Sequence, residues 1–206
     1  VRQRLFLKKI AVAVLLAFAW PLVAAENPDE AVSIQSLPGG LYEVQGSFLS
    51  AAPVETAWSL LSDYDRLTGT VSSLVHSLVL VRDGDHLLVE QSARGSFLFF
   101  SRTVRVRLKI LESKPYSIAF EDLGKQDFGV YRGRWDLEAA AGGGVRVHYR
   151  LTASRGSFAP ELIEQHVFKG QAIALLAEIK AKLQQRAEAA AALQAHSAWM
   201  DGKGTR

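Results

Sequence analysis

The sequence contains no cysteine. Disulfides, thiolate nucleophiles, cysteine metal sites and lipid acylation on a cysteine are therefore excluded. Its five histidines, His76, His86, His148, His166 and His196, do not cluster. No HxxxH spacing and no paired carboxylates suggest a metal centre or a hydrolytic pair. Neither a metal nor a cofactor is expected. Positive charge is also scarce once the first 25 residues are set aside. They hold four basic and no acidic side chains, so the formal charge falls from +3 to −1 without them. Nucleic-acid binding, which needs a large positive field, loses its support.

What those first residues do contain is an export signal. Arg2, Arg4, Lys8 and Lys9 precede an uncharged apolar run over residues 10–25, which ends in Val23-Ala24-Ala25. A basic start, an apolar run and small residues at the end make a secretory signal peptide. The run is shorter than the roughly 20 residues of a membrane-spanning helix, and Pro21 interrupts it. Residues 1–25 are read as a signal peptide cleaved after Ala25, the alternative being a retained anchor with the domain facing the periplasm. Export without cysteine suits a bacterial periplasmic protein better than a disulfide-stapled secreted one.

The remaining 181 residues suffice for one domain with a real core. Residues 26–40, with Pro28, Pro38 and Gly39-Gly40, read as a linker. Residues 41–50 alternate, Tyr42, Val44, Gly46 and Phe48 on one face, as a half-buried strand does. Pro53 opens a short helix with Val54, Ala57, Trp58 and Leu61 on its apolar stripe, and a second short helix follows over residues 63–67. Strands are expected at 74–82 and 86–94 around the Asp83-Gly84-Asp85 hairpin signal, then at 97–112, 117–123, 129–138 and from 145. Phe168, Ala172, Leu175, Leu176, Ile179 and Leu183 lie on one face of a final helix. The domain is placed at residues 41–193, and residues 194–206 are expected to be a disordered tail. This order predicts an α+β helix-grip fold, a curved antiparallel β-sheet wrapped around a long C-terminal helix.

Strand phase points Val104, Val106, Leu108 and Ile110, then Tyr131, Gly133, Trp135 and Leu137, then Val145, Val147, Tyr149 and Leu151 inward. Only Tyr131 and Tyr149 bring polar tips, which either orient a ligand or find a local partner in the core. Asp122 and Asp127 read first as turn residues that accept backbone N–H groups. His166 reads as a surface residue, and the apolar run Phe97, Leu98, Phe99 and Phe100 as core or as a lip. Gly170 interrupts the last helix and could leave room for a ligand. The outward positions hold Arg105, Arg107, Lys109, Arg132, Arg134, Arg146 and Arg150, with Glu121, Asp136 and Glu138 as cross-strand partners. A solvated convex face is preferred over one that touches anionic headgroups at a membrane surface.

Two stretches carry a family resemblance. Trp58-Ser59-Leu60-Leu61-Ser62-Asp63-Tyr64-Asp65 and Asp127-Phe128-Gly129-Val130-Tyr131-Arg132-Gly133-Arg134-Trp135-Asp136-Leu137-Glu138 resemble the polyketide-cyclase/dehydrase and coenzyme-Q-binding branch of the START-like (SRPBCC) superfamily. The resemblance covers about residues 42–186. It implies the helix-grip fold and a hydrophobic ligand, such as a lipid, fatty acid, quinone or polyketide, held between sheet and helix. Relatives often carry prolines after Asp-Tyr-Asp, whereas residues 67–72 here have none, so that loop is expected to be more mobile. The expected lining is Trp58, Tyr64, Phe99, Phe128, Tyr131, Trp135, Tyr149, Phe168 and Leu175, with no catalytic residue assigned. The expected function is an exported carrier. The alternatives are a cyclase or dehydratase using Tyr131, Tyr149, Asp127 or His166, and an interaction module with a filled core.

Overall fold

A computed structural model describes residues 31–97, 100–154 and 161–203. The signal-peptide reading of residues 1–25 lies outside them. The elements run β1 (Val32–Leu37), β2 (Leu41–Ser50), α1 (Val54–Leu61), a 3-10 turn (Tyr64–Gly69), β3 (Leu74–Asp83), β4 (His86–Phe97), β5 (Phe100–Ser113), β6 (Ser117–Asp122), β7 (Tyr131–Ala139), β8 (Val145–Ser154) and α2 (Glu161–Lys203). All strands belong to one antiparallel sheet in the order β1-β2-β8-β7-β6-β5-β4-β3. This is the helix-grip arrangement that the pattern predicts.

Alternation sets the two faces, because successive side chains of a strand point to opposite sides. Tyr42, Val44 and Phe48 of β2, Leu108 and Ile110 of β5, and Val145, Val147, Tyr149 and Leu151 of β8 are buried on the concave side. α2 lies against that side, packed chiefly on β2 with β1 and α1 beside it. Gly46 makes the approach close: a Cβ there would stand 2.4 Å from Leu176 Cδ1. Ala172, Leu176, Ile179 and Leu183 close the core from the helix.

Two boundaries differ from expectation. Residues 32–37 form an edge strand rather than part of a linker, in register with β2 from Val32↔Gly46 to Leu37↔Leu41. Their polar residues hide a real alternation, in which Val32 and Ile34 alone pack on the core. Gly39 and Gly40 take φ of +79° and +70°, so the glycine pair makes the tight turn between β1 and β2. At the other end, α2 continues to Lys203 instead of giving way to a disordered tail. Residues 187–192 are almost all alanine, the strongest helix former, and no glycine recurs until Gly202.

Gly170 does not line the concave side. It is exposed, and a Cβ added there would meet nothing within 4 Å. Gly170→Ala is therefore expected to stabilise the protein by about 1 kcal/mol, read as a higher midpoint in urea with an unchanged slope.

Candidate functional site

The concave face ends in an aromatic seam. β2, β7 and β8 meet where Tyr42 and Tyr131 both pair with Ala153, and α2 starts above them. Tyr42 and Phe168 have ring centroids 5.6 Å apart, Phe168 and Phe128 6.3 Å, Phe128 and Tyr131 5.0 Å, and Tyr131 and Phe120 6.0 Å. One turn further into the sheet, Trp135 and Tyr149 stand 4.4 Å apart. Phe120, Phe128, Tyr131, Trp135, Phe168 and Leu175 are only partly buried, although they face the interior side of the fold. The result is a trough with aromatic walls under α2.

Burial governs the polar tips in that trough. The Tyr131 hydroxyl is pushed up to about 12, chiefly by burial and secondly by the nearby Asp122 charge, with the Tyr149 hydroxyl pulling the other way. Tyr149 is raised well above its ordinary value, first by burial and then by Tyr131. Both are neutral hydrogen-bonding groups across the physiological range. Asp122, itself buried, accepts the N–H groups of Arg107, Gly124 and Lys125 at 2.8, 2.8 and 3.0 Å. Asp127 accepts the Arg105 N–H at 2.8 Å. The two aspartates thus hold backbone at the rim, as turn residues do. His166 is exposed on α2. Among the described residues, no group of three His, Asp or Glu side chains could hold a metal ion.

The expected lining divides by position. Phe128, Tyr131, Trp135, Tyr149, Phe168 and Leu175 come together on the concave side. Phe99 lies outside the described residues. Trp58 and Tyr64 belong to the opposite end of the sheet, where α1 follows Ser50, and both are buried in the core. The Tyr64 hydroxyl donates to Glu112 Oε1 at 2.8 Å, and Arg82 reaches Glu112 Oε2 at 3.4 Å. Burial and the Glu112 bond raise the Tyr64 hydroxyl far above its ordinary value, so it keeps its proton and the bond persists.

Glu112 is the polar residue that strand phase should have found. Val106, Leu108 and Ile110 point inward, and the same period continues to Glu112. The inward set of β5 is thus not wholly apolar. Phe120 joins the seam by the same logic, two residues after the buried Ile118. The proline-free loop after Asp65 is anchored despite its composition. Val71 is buried, the Ser72 N–H donates to Glu178 of α2 at 2.9 Å, and the Ser72 hydroxyl bonds the same carboxylate.

This geometry sits inside a recognised sequence pattern. The family model described as polyketide cyclase/dehydrase and lipid transport matches residues 50–180, more than half of the chain. The chain belongs to this family, within the START-like superfamily. A comparison with curated protein sequences found no match. Solved structures share the fold at low identity. A START superfamily protein from Mycobacterium smegmatis has a TM-score of 0.61 at 12% identity, over 69% of this chain and 97% of that one. A STAR-related lipid transfer protein from Xanthomonas axonopodis has 0.58 at 14%, over 74% and 98%. The di-domain aromatase/cyclase StfQ from the steffimycin biosynthetic pathway has 0.58 at 14%, over 72% and 52%, so this START-like chain spans about half of its length.

Proposed function

We propose that the protein binds a hydrophobic small molecule, such as a lipid, fatty acid, quinone or polyketide, in the aromatic trough and carries it unchanged. The observation that carries this reading is the set of partly buried aromatics on the concave face, beside a helix that rests chiefly on β2, β1 and α1. Apolar ligand surface covered there contributes roughly 25 cal/mol per Å², and the hydroxyls of Tyr131 and Tyr149 supply the few polar groups that orient a ligand. A carrier fits better than an enzyme, because the acids nearest the trough are committed to backbone N–H groups. A lipid transfer protein and an aromatase/cyclase of the same fold bracket the two possibilities.

Native mass spectrometry of protein purified without detergent tests the proposal. A stoichiometric hydrophobic adduct is expected, and solvent extraction identifies its class. Trp135→Ala and Phe168→Ala, each confirmed folded by circular dichroism, should lower affinity for the adduct about tenfold, equivalent to ~1.4 kcal/mol. Unchanged occupancy in both variants would remove the trough as the site. Turnover of the ligand that Tyr131→Phe abolishes would favour the cyclase reading instead. Export to the periplasm is part of the same proposal, and an intact mass that begins at Glu26 would support it.

A further inference from the structure

The convex face of the sheet holds a second, polar cleft. β1, β2, β8 and β7 run side by side there, and a cleft of about 210 Å³ opens between their outward side chains. Ser33, Ser47, His148 and Arg150 line it with donors, and Asp136 brings the acid. The charges do not cancel. Asp136 is taken by Arg134, whose Nε and Nη2 lie 2.9 and 2.7 Å from Oδ1. Arg150 stands directly opposite Arg134 across the β7–β8 ladder, with Gln45 opposite it on β2. Like charges in that relation repel, and no carboxylate among the described residues pairs with Arg150. Beside it, His148 Nε2 is buried without a hydrogen-bond partner, 3.5 Å from Glu138 Oε2. The cleft therefore holds a guanidinium that no carboxylate among the described residues pairs with, and a ring nitrogen that has Glu138 beside it but no hydrogen bond, with the Ser33 and Ser47 hydroxyls in the same lining.

We infer that this cleft binds a phosphate-type oxyanion. Arg150 is its cation, and His148, Ser33 and Ser47 are further donors. A guanidinium engages a phosphate through two parallel N–H bonds. The remaining phosphate oxygens can accept from donors on the neighbouring strands, which one planar carboxylate would satisfy less fully. The site is separate from the trough and does not depend on what the trough holds. A soluble phosphate and a phospholipid headgroup present the same chemistry, and the test distinguishes them.

Binding would be measured by calorimetric titration with inorganic phosphate. In parallel, the protein would be sedimented with vesicles of phosphatidylcholine, with and without phosphatidylglycerol. Wild type, Arg150→Gln and Arg105→Gln would be compared. Arg105 is an exposed arginine of β5 on the same face, outside the cleft lining, and no carboxylate among the described residues pairs with its side chain. Arg150→Gln is expected to weaken binding about tenfold, equivalent to ~1.4 kcal/mol, while Arg105→Gln leaves it unchanged. Binding of phosphate alone identifies a soluble ligand. Binding confined to the anionic vesicles identifies a headgroup. The proposal is overturned if neither probe binds, if Arg150→Gln binds like wild type, or if Arg105→Gln weakens binding as much as Arg150→Gln, the mark of diffuse surface charge.

Discussion

Gly133→Ala is expected to destabilise the protein by about 3 kcal/mol or more, lowering the thermal midpoint by about 10 °C. Gly133 sits in the middle of β7, paired with Leu151 on one side and Phe120 on the other. A Cβ there would come within 2.2 Å of the Arg150 carbonyl oxygen and 2.6 Å of Phe120 Cζ. The second conflict alone could relax, because a ring edge can move. The first cannot, because the oxygen belongs to the backbone of a central strand whose ladder would have to shift. Any relief found by Phe120 pushes its ring toward Tyr131 and narrows the trough. The variant should therefore lose ligand occupancy as well as stability. Urea denaturation of wild type and variant, each stripped of ligand, checks the stability change. Gly46→Ala serves as the comparison, since its clash is with the mobile end of Leu176 and should cost less. Equal losses in the two variants would show that the backbone at Gly133 yields as easily as a side chain.

Most of the sheet could be read from alternation, because each of its inner strands has one dry face and one wet one. Tyr131, Trp135 and Tyr149 follow directly from that phase. The edge strand β1 could not be read as easily, since only Val32 and Ile34 of its six residues are packed on the core. The convergence of Phe128 and Phe168 on Tyr131 is not written in any local period. One belongs to the loop between β6 and β7 and the other to α2, and their meeting depends on how the helix crosses the sheet. Trp58 and Tyr64 illustrate the opposite case. Their aromatic character suggests a lining, but α1 and the 3-10 turn follow Ser50, at the far end of β2 from the seam. The cleft around Arg150 was legible only as a row of outward arginines. Which of them has a carboxylate is a matter of register: Arg134 reaches Asp136 two residues along its own strand, while Arg150 faces arginine and glutamine.

Stability should fall steeply above pH 10. Tyr131 has its hydroxyl raised to about 12, and Tyr149 and Tyr64 are raised well above their ordinary values too, burial being the first cause in each case. In the unfolded chain a tyrosine ionises near 10. A group held above its unfolded value contributes fully below that value, and the contribution disappears as pH climbs toward the folded value. Between pH 10 and 12 the unfolded state releases protons that the folded state retains. Each such tyrosine then removes about 1.4 kcal/mol per pH unit. Tyr131 alone accounts for about 3 kcal/mol in total once the pH has climbed past its folded value, and Tyr149 and Tyr64 act in the same direction. Alkaline unfolding between pH 10 and 12 is the expected result, seen as a collapse of the urea midpoint. Tyr131→Phe with Tyr149→Phe should make the slope shallower, because phenylalanine has no proton to lose. A slope unchanged by that double substitution would mean that the two hydroxyls titrate freely and that the trough admits bulk water. A ligand that covers them should do the reverse and move the alkaline transition to still higher pH, so the same titration also reports whether the trough is occupied.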